Sequence, residues 1–143
     1  MQALAPMNPA DTFRKLIHAC VDDERTLRHE STVVSTRHAD TLTRLASQRA
    51  QFVAALEQIQ ASGQPHDGSW GELSREAARD VWVAAAGRNE GDAITACRHS
   101  STRTAAVYDE AMLLPWQGET LSVLSAQQRS LRDDAELLNK LEY

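Results

Sequence analysis

Apolar residues recur every three or four positions through four long stretches of the chain, and this helical periodicity limits its fold more than any other feature. No stretch alternates apolar and polar residues for long enough to predict a β-sheet. The first helix is expected to begin near Pro9, with Asp11 as its candidate N-cap. Its inward stripe comprises Phe13, Leu16, Ile17, Cys20, Glu24, Leu27 and Val34. We therefore expect an all-α protein.

Turn signals separate the other helical stretches. The β-branched cluster at residues 31–36 predicts a turn before the second helix, which we expect at about residues 37–61. The Gly- and Pro-containing stretch 62–69 predicts a loop. A capping-box pattern and a closing glycine then delimit a shorter helical segment at about residues 70–86.

Two more long helices follow, at about residues 94–112 and 121–141, separated by a break at residues 113–119. A helix of about 20 residues is roughly 30 Å long, and the shorter segment lies where a long crossover would run. These features predict an all-α, ferritin-like four-helix bundle with an additional helical crossover between the second and third bundle helices. We expect one domain over residues 1–143, with a flexible N-terminal segment at residues 1–8.

Charge and hydropathy exclude several classes of partner. The net charge is -5, and the 15 Lys and Arg residues are interleaved with acids, which argues against nucleic-acid binding. No apolar run approaches the ~20 residues that span a bilayer. The N-terminal residues lack the basic start and apolar core of a signal peptide, so we expect a cytoplasmic protein without a membrane partner.

The two cysteines, Cys20 and Cys97, both fall on apolar stripes and belong to no metal-binding spacing. We expect them to be buried, reduced thiols. With a full-length crossover they lie on opposite sides of the bundle's centre, about 12 Å apart at 1.5 Å per residue. A disulfide needs Cα atoms within about 7 Å, so none is expected.

Each long helix places a polar residue inward near its middle, and we call this set the predicted polar layer. Its members are Glu24, Gln48 or Arg49, Ser101 and Gln128. Polar groups in a core are costly unless they bond to one another or hold a ligand. We expect Glu24 to pair with Arg49, and a metal-ligand role for Glu24 is the alternative.

The predicted polar layer is poor in metal ligands. Ferritin-like di-metal proteins use a glutamate from each of two helices and a Glu-x-x-His motif from each of the other two. Here Glu24 is the single acid, and one carboxylate cannot balance the charge of two metal ions. We therefore expect no metal and no cofactor. If a metal were bound, its ligands would be Glu24, Gln48 and Gln128.

No arrangement for catalysis is apparent. His99 adjoins Ser100 and Ser101, but neighbouring residues on a helix point apart, and the sequence has no nucleophile elbow or phosphate-binding loop. We therefore expect no catalytic residue and no enzyme.

Other residues allow two readings each. His18, Asp22 and His29 align along one flank of the first helix, as a solvated face or a surface metal site.

Three tryptophans are expected to hold the crossover against the bundle or, if exposed, to mark a partner interface. They are Trp70, Trp82 and Trp116.

The chain resembles small bacterial ferritin-like proteins that form a domain family of unknown function. The resemblance covers nearly the whole chain. It rests on "LIHACVDDERTLRH", "LASQRAQFVAAL", "GSWGELSREAARDVW" and "AAAGRNEGDAITACRHSS", in that order and with similar loop spacing. The family's acidic turn, acid-Gly-Glu, is matched here by Asp22, Asp23 and Glu24.

The departures from the family pattern remove acids. Gln48 stands where the family commonly has Glu before Arg49, and Arg98 and Ser101 replace two glutamates of a Cys-Glu-Arg-Gly-Glu run. The resemblance implies the ferritin-like fold, with the di-metal ligand positions lost.

Two functions remain open from the sequence. The first is a non-catalytic bundle that acts as an interaction or stress-related accessory protein, as a homo-oligomer or with a protein partner. The second is a metal-binding oxidase or metal-storage protein with a degenerate site around Glu24.

Overall fold

The computed structural model describes residues 8–63 and 89–141, which form four α-helices and contain no strand. The helices are α1 (Pro9–Glu30), α2 (Thr36–Gly63), α3 (Glu90–Ala111) and α4 (Gly118–Asn139). The predicted all-α class is confirmed for this part of the chain. The predicted segment at residues 70–86, with Trp70 and Trp82, lies outside the described residues, as do residues 1–7.

Asn8, and not Asp11, caps the first helix. The Asn8 side-chain oxygen accepts hydrogen bonds from the backbone N–H groups of Ala10, at 2.8 Å, and Asp11, at 3.5 Å. Pro9 follows at the first helical position, where its missing N–H costs nothing. The expected cap at Asp11 is wrong because Asp11 lies inside the first turn, where its carboxylate pairs with Arg14 at 2.8 Å.

Hydrogen bonds between helices show their relative directions. Along α1, Cys20 contacts Tyr108 of α3 and Asp23 contacts Ser100, so α1 and α3 are antiparallel. Arg49 of α2 contacts Asp134 of α4, whereas Phe52 contacts Gln127, so these helices are also antiparallel. The short turn between α1 and α2 reverses the chain, and therefore α2 and α3 run in the same direction.

The bundle has two ends, which we name after a residue at each. The Trp116 end holds the start of α1, the end of α2 and the α3–α4 turn, where Trp116 stacks on Phe13 with 5.3 Å between ring centroids. The Ser35 end holds the α1–α2 turn and the start of α3, since the backbone N–H of Ser35 donates to the Glu90 carboxylate. The end of α2 and the start of α3 therefore lie at opposite ends of the bundle.

The core positions follow a seven-residue repeat. Along α4 the buried residues are Leu124, Gln127, Leu131, Asp134 and Leu138, spaced alternately by three and four. A matching series in α1 comprises Phe13, Leu16, Cys20, Asp23, Leu27 and Glu30. This spacing is typical of helices that pack with a slight left-handed supercoil.

Two apolar clusters fill the bundle, one toward each end. Cys20 belongs to the cluster at the Trp116 end, with Phe52 and Leu131. Cys97 belongs to the cluster at the Ser35 end, with Leu27 and Leu138. Both cysteines are buried thiols on opposite sides of the bundle's centre, as predicted.

Leu121 does not lie inward. This residue lies in the first turn of α4 and is 40% exposed. The core position of this helix is Leu124, which is fully buried.

Candidate functional site

A fully buried arginine, Arg49 of α2, lies between the two apolar clusters. Its Nε donates a hydrogen bond to Asp23 of α1 at 2.7 Å, and its Nη1 donates to Asp134 of α4 at 2.8 Å. Nη1 also donates to the side-chain oxygen of Gln48. The guanidinium carbon lies 5.4 Å from the centre of the Phe52 ring, which is within range of a cation–π interaction. Arg49 therefore connects three helices.

Asp23 is the acid at the centre of this arrangement. Its Oδ2 accepts the hydrogen bond from Arg49, and its Oδ1 accepts hydrogen bonds from the hydroxyls of Ser100, at 2.8 Å, and Ser101, at 3.2 Å. All of these partners act as donors, so hydrogen bonds from α2 and α3 hold the Asp23 carboxylate in place. We call Asp23, Arg49 and Asp134, with the two serine hydroxyls, the buried charge layer.

The acids and the arginine of this layer influence each other's ionisation. Burial by itself lowers the pKa of Arg49, but the charge and hydrogen bond of Asp23 outweigh burial, with a smaller contribution from Asp134, so the pKa is raised. For Asp134, burial is the largest effect and raises the pKa, although the hydrogen bond from Arg49 opposes it. Arg49 therefore remains charged at any physiological pH.

A second buried polar group lies toward the Trp116 end. The Cys20 sulfur is 3.3 Å from the Tyr108 hydroxyl, and that hydroxyl donates to the side-chain oxygen of Gln127 at 2.5 Å. Burial raises the pKa of the Cys20 thiol to about 12 and raises the pKa of Tyr108 well above its usual value. Both side chains are therefore neutral at pH 7, and the thiol lacks the thiolate character of a nucleophile.

Glu24 does not belong to the buried charge layer, so the predicted pairing of Glu24 with Arg49 is wrong. The Glu24 side chain is 24% exposed and accepts a hydrogen bond from Arg28, one turn along the same helix, at 2.9 Å. The acid that pairs with Arg49 is the preceding residue, Asp23.

Gln128, like Glu24, lies outside the buried charge layer. Its side chain lies at the edge of the bundle and donates to Asp109 of α3 at 2.7 Å. The buried glutamine is Gln127, again the preceding residue.

Three members of the predicted polar layer do lie together, in or beside the buried charge layer. Arg49 is the inward residue of its pair, and Gln48 is half-buried and bonds to it. Ser101 is buried and donates to Asp23. The residues that the sequence reasoning missed are Asp23, Ser100, Gln127 and Asp134, and the seven-residue repeat is the signal that would have identified three of them. Ser100 lies outside that repeat.

The residues named as metal ligands do not form a cluster. Glu24, Gln48 and Gln128 bond to three different partners, which are Arg28, Arg49 and Asp109. Among residues 8–63 and 89–141, no group of three His, Cys, Asp or Glu side chains has the arrangement of a metal site. This finding includes the flank of α1 that carries His18, Asp22 and His29.

An apolar groove of about 300 Å³ opens at the Trp116 end. Its lining residues are uncharged and comprise Pro9, Phe13, Ile59, Pro115, Trp116, Gln117 and Thr120. The indole N–H of Trp116 donates to the Ala111 carbonyl at 2.7 Å, which fixes the ring against α3. Close by in sequence, Leu113 is 78% exposed and Leu121 is 40% exposed. This end therefore presents the largest exposed apolar side chains of the described residues.

Comparisons of the chain with protein-family models, curated proteins and solved structures found no match. None of the four described helices combines the length and the apolar character needed to cross a membrane.

Proposed function

We propose that the chain is a non-catalytic, ferritin-like bundle that acts in the cytoplasm as an interaction or stress-related accessory protein. The observation that carries this proposal is the buried charge layer, in which the acids at the bundle's centre bond to an arginine and two hydroxyls of the same chain. The layer thereby performs a structural task, because it joins all four helices.

A bound metal ion needs oxygen lone pairs that face it and a site without competing positive charge. Both carboxylate oxygens of Asp23 already accept hydrogen bonds, and the guanidinium of Arg49 lies 2.7 Å from one of them. A metal ion at this point would meet a fixed positive charge. The arrangement favours a structural role for the layer over a catalytic one.

The helix directions support the ferritin-like part of the proposal. Helices α2 and α3 run in the same direction, α2 ends at the Trp116 end and α3 begins at the Ser35 end, which matches the second and third helices of ferritin-like folds. The proposal includes a helical crossover within residues 64–88.

The Trp116 end supports the interaction part. An uncharged groove beside two exposed leucines is typical of a surface that binds protein. We propose that a second copy of the chain, or another protein, covers Leu113 and Leu121 there.

Metal analysis of protein purified without chelator tests the non-catalytic role. We expect far less than one equivalent of iron, manganese or zinc in the wild-type chain and in the Asp23→Asn and Glu24→Gln variants. One or two equivalents in the wild-type chain, lost in either variant, would overturn the proposal.

Sedimentation over a range of concentrations tests the interaction surface. We expect the wild-type chain to associate and a Leu113→Ser, Leu121→Ser double variant to remain monomeric. The control is Ala126→Ser, which changes another exposed residue of α4 and should associate like the wild-type chain. A wild-type chain that is monomeric throughout would contradict self-association and leave another protein as the partner.

A further inference from the structure

The buried charge layer contains more negative than positive charge. Asp23 and Arg49 are fully buried, and the Asp134 side chain is only 10% exposed. When all three groups are ionised, two carboxylates surround one guanidinium, and one net negative charge remains inside the bundle. An uncompensated buried charge is costly, and the simplest compensation is a proton.

We propose that Asp134 is a proton-binding site through which pH controls how firmly α4 is held in the bundle. As the pH falls, the layer takes up one proton and becomes neutral. The bundle then gains stability on mild acidification, which is the opposite of the usual effect of acid on paired carboxylates.

The hydrogen bonds of the layer leave one oxygen of Asp134 available to bind a proton. Both oxygens of Asp23 accept hydrogen bonds, from Arg49 and from the hydroxyls of Ser100 and Ser101. Asp134 accepts one hydrogen bond, at Oδ2, from an Arg49 nitrogen that Gln48 shares. Its Oδ1 accepts none from the described residues, and the side chain reaches the surface of the bundle. A proton can therefore bind Asp134 without breaking a hydrogen bond.

The charged groups around Asp134 come from three helices. Asp23 of α1 and Asp133 of α4 are negative and favour the proton, whereas Arg49 of α2 is positive and opposes it. Helix α3 faces the layer with the uncharged hydroxyls of Ser100 and Ser101. Its buried titratable side chains, Cys97 and Tyr108, belong to the apolar clusters on either side.

The position of Asp134 explains why protonation of its side chain would affect how α4 is held in the bundle. Helix α4 packs mainly on α3, and its polar links to α2 include the Arg49–Asp134 pair and the contact of Gln127 with the Phe52 carbonyl. The cost of keeping a second buried negative charge at Asp134 therefore falls on a helix contact that is less extensive than the one between α4 and α3.

The direction of the pH effect follows from proton linkage. Burial raises the pKa of Asp134 in the folded chain, so between the ordinary and the raised value the folded chain holds a proton that the unfolded chain has lost. The unfolding equilibrium constant therefore falls as the pH falls, by at most about tenfold per pH unit for one proton.

Urea unfolding between pH 8 and pH 4 tests the proposal in wild-type protein, Asp134→Asn and Glu136→Gln. The last variant removes an exposed carboxylate from the same helix and controls for general charge effects. We expect the wild-type chain and Glu136→Gln to gain stability relative to Asp134→Asn as the pH falls. The same pH trend in all three proteins would overturn the proposal.

A second measurement does not depend on a folded variant. Carboxyl-carbon NMR of the wild-type chain reports the titration of Asp134 directly. We expect its midpoint above the ordinary aspartate value of about 3.9. A midpoint at or below that value would also overturn the proposal.

Discussion

Two adjacent acids on α1, Asp23 and Glu24, are predicted to differ sharply in their contribution to stability. Asp23→Ala and Glu24→Ala each remove one carboxylate from the same turn of helix. Asp23 is fully buried against Arg49 and two hydroxyls, whereas Glu24 bonds to the exposed Arg28.

The size of each effect follows from these partners. Removal of one member of a buried ion pair costs about 3–5 kcal/mol, because the other charge stays buried without compensation. Arg49 keeps Asp134 as a partner, so we expect a loss for Asp23→Ala near the lower end, about 3 kcal/mol. The loss for Glu24→Ala should be about 0.5 kcal/mol or less, as for other exposed pairs one helical turn apart.

Urea unfolding at pH 7, monitored by circular dichroism, measures both changes in the free energy of unfolding. Thermal unfolding is an independent check, because about 3 kcal/mol corresponds to a decrease in Tm of roughly 10 °C in a chain of this length. Equal losses for the two variants, or a larger loss for Glu24→Ala, would refute the placement of Asp23 in the layer.

Three further predictions concern individual contacts. Tyr108→Phe should lose about 1–3 kcal/mol in the free energy of urea unfolding, because Gln127 then has a buried oxygen without its donor; an unchanged midpoint would contradict this. Burial raises the pKa of Cys20 to about 12, so its thiol should react with a thiol reagent at pH 8 only after the chain unfolds. The reaction is measured by absorbance in a variant whose other cysteine is replaced by serine. Fast reaction of the folded chain would contradict the burial of this thiol. The hydrogen bond from the backbone N–H of Ser35 lowers the pKa of Glu90 in the folded chain. The ionised Glu90 therefore stabilises the fold at pH values above its pKa in the unfolded chain, and this contribution is lost as the pH falls through its lower pKa in the folded chain. Below pH 5 the wild-type chain should therefore lose its stability advantage over Glu90→Gln, and a constant difference in urea midpoint would count against the contact.

The helices could be predicted from the sequence because their apolar stripes and turn signals are strong. The predicted turn at residues 31–36 separates α1 from α2, and Pro9 begins α1. The same pattern predicted buried apolar residues of α1, including Phe13, Leu16 and Leu27. These features depend on local propensity and on amphipathic spacing, both of which a single sequence contains.

The members of the buried charge layer were harder to predict, and the reason is geometric. After Cys20, both Asp23 and Glu24 lie on the inward side of a straight helix, three and four residues on. In a supercoiled helix the repeat is 3.5 rather than 3.6 residues, so core positions alternate three and four residues apart, and the step of four from Leu16 to Cys20 is followed by a step of three to Asp23. The same alternation places Gln127, and not Gln128, in the core series that continues with Leu131 and Asp134.

Pairing across the bundle depends on tertiary register, which helical spacing does not contain. Asp134 is 85 positions from Arg49 in sequence, and Ser100 is 77 positions from Asp23. These side chains come together only because of the relative positions of the helices along the bundle axis. For that reason Arg49 could be identified as a candidate core residue, whereas its partners could not.

A double-mutant cycle tests most directly whether Arg49 is the cation that holds the layer together. The cycle combines Arg49→Met with Asp23→Ala, and a second cycle combines Arg49→Met with Glu24→Ala. We predict a coupling energy of about 2 kcal/mol or more between Arg49 and Asp23, and none between Arg49 and Glu24. A coupling between Arg49 and Glu24 equal to or larger than that with Asp23 would contradict the account.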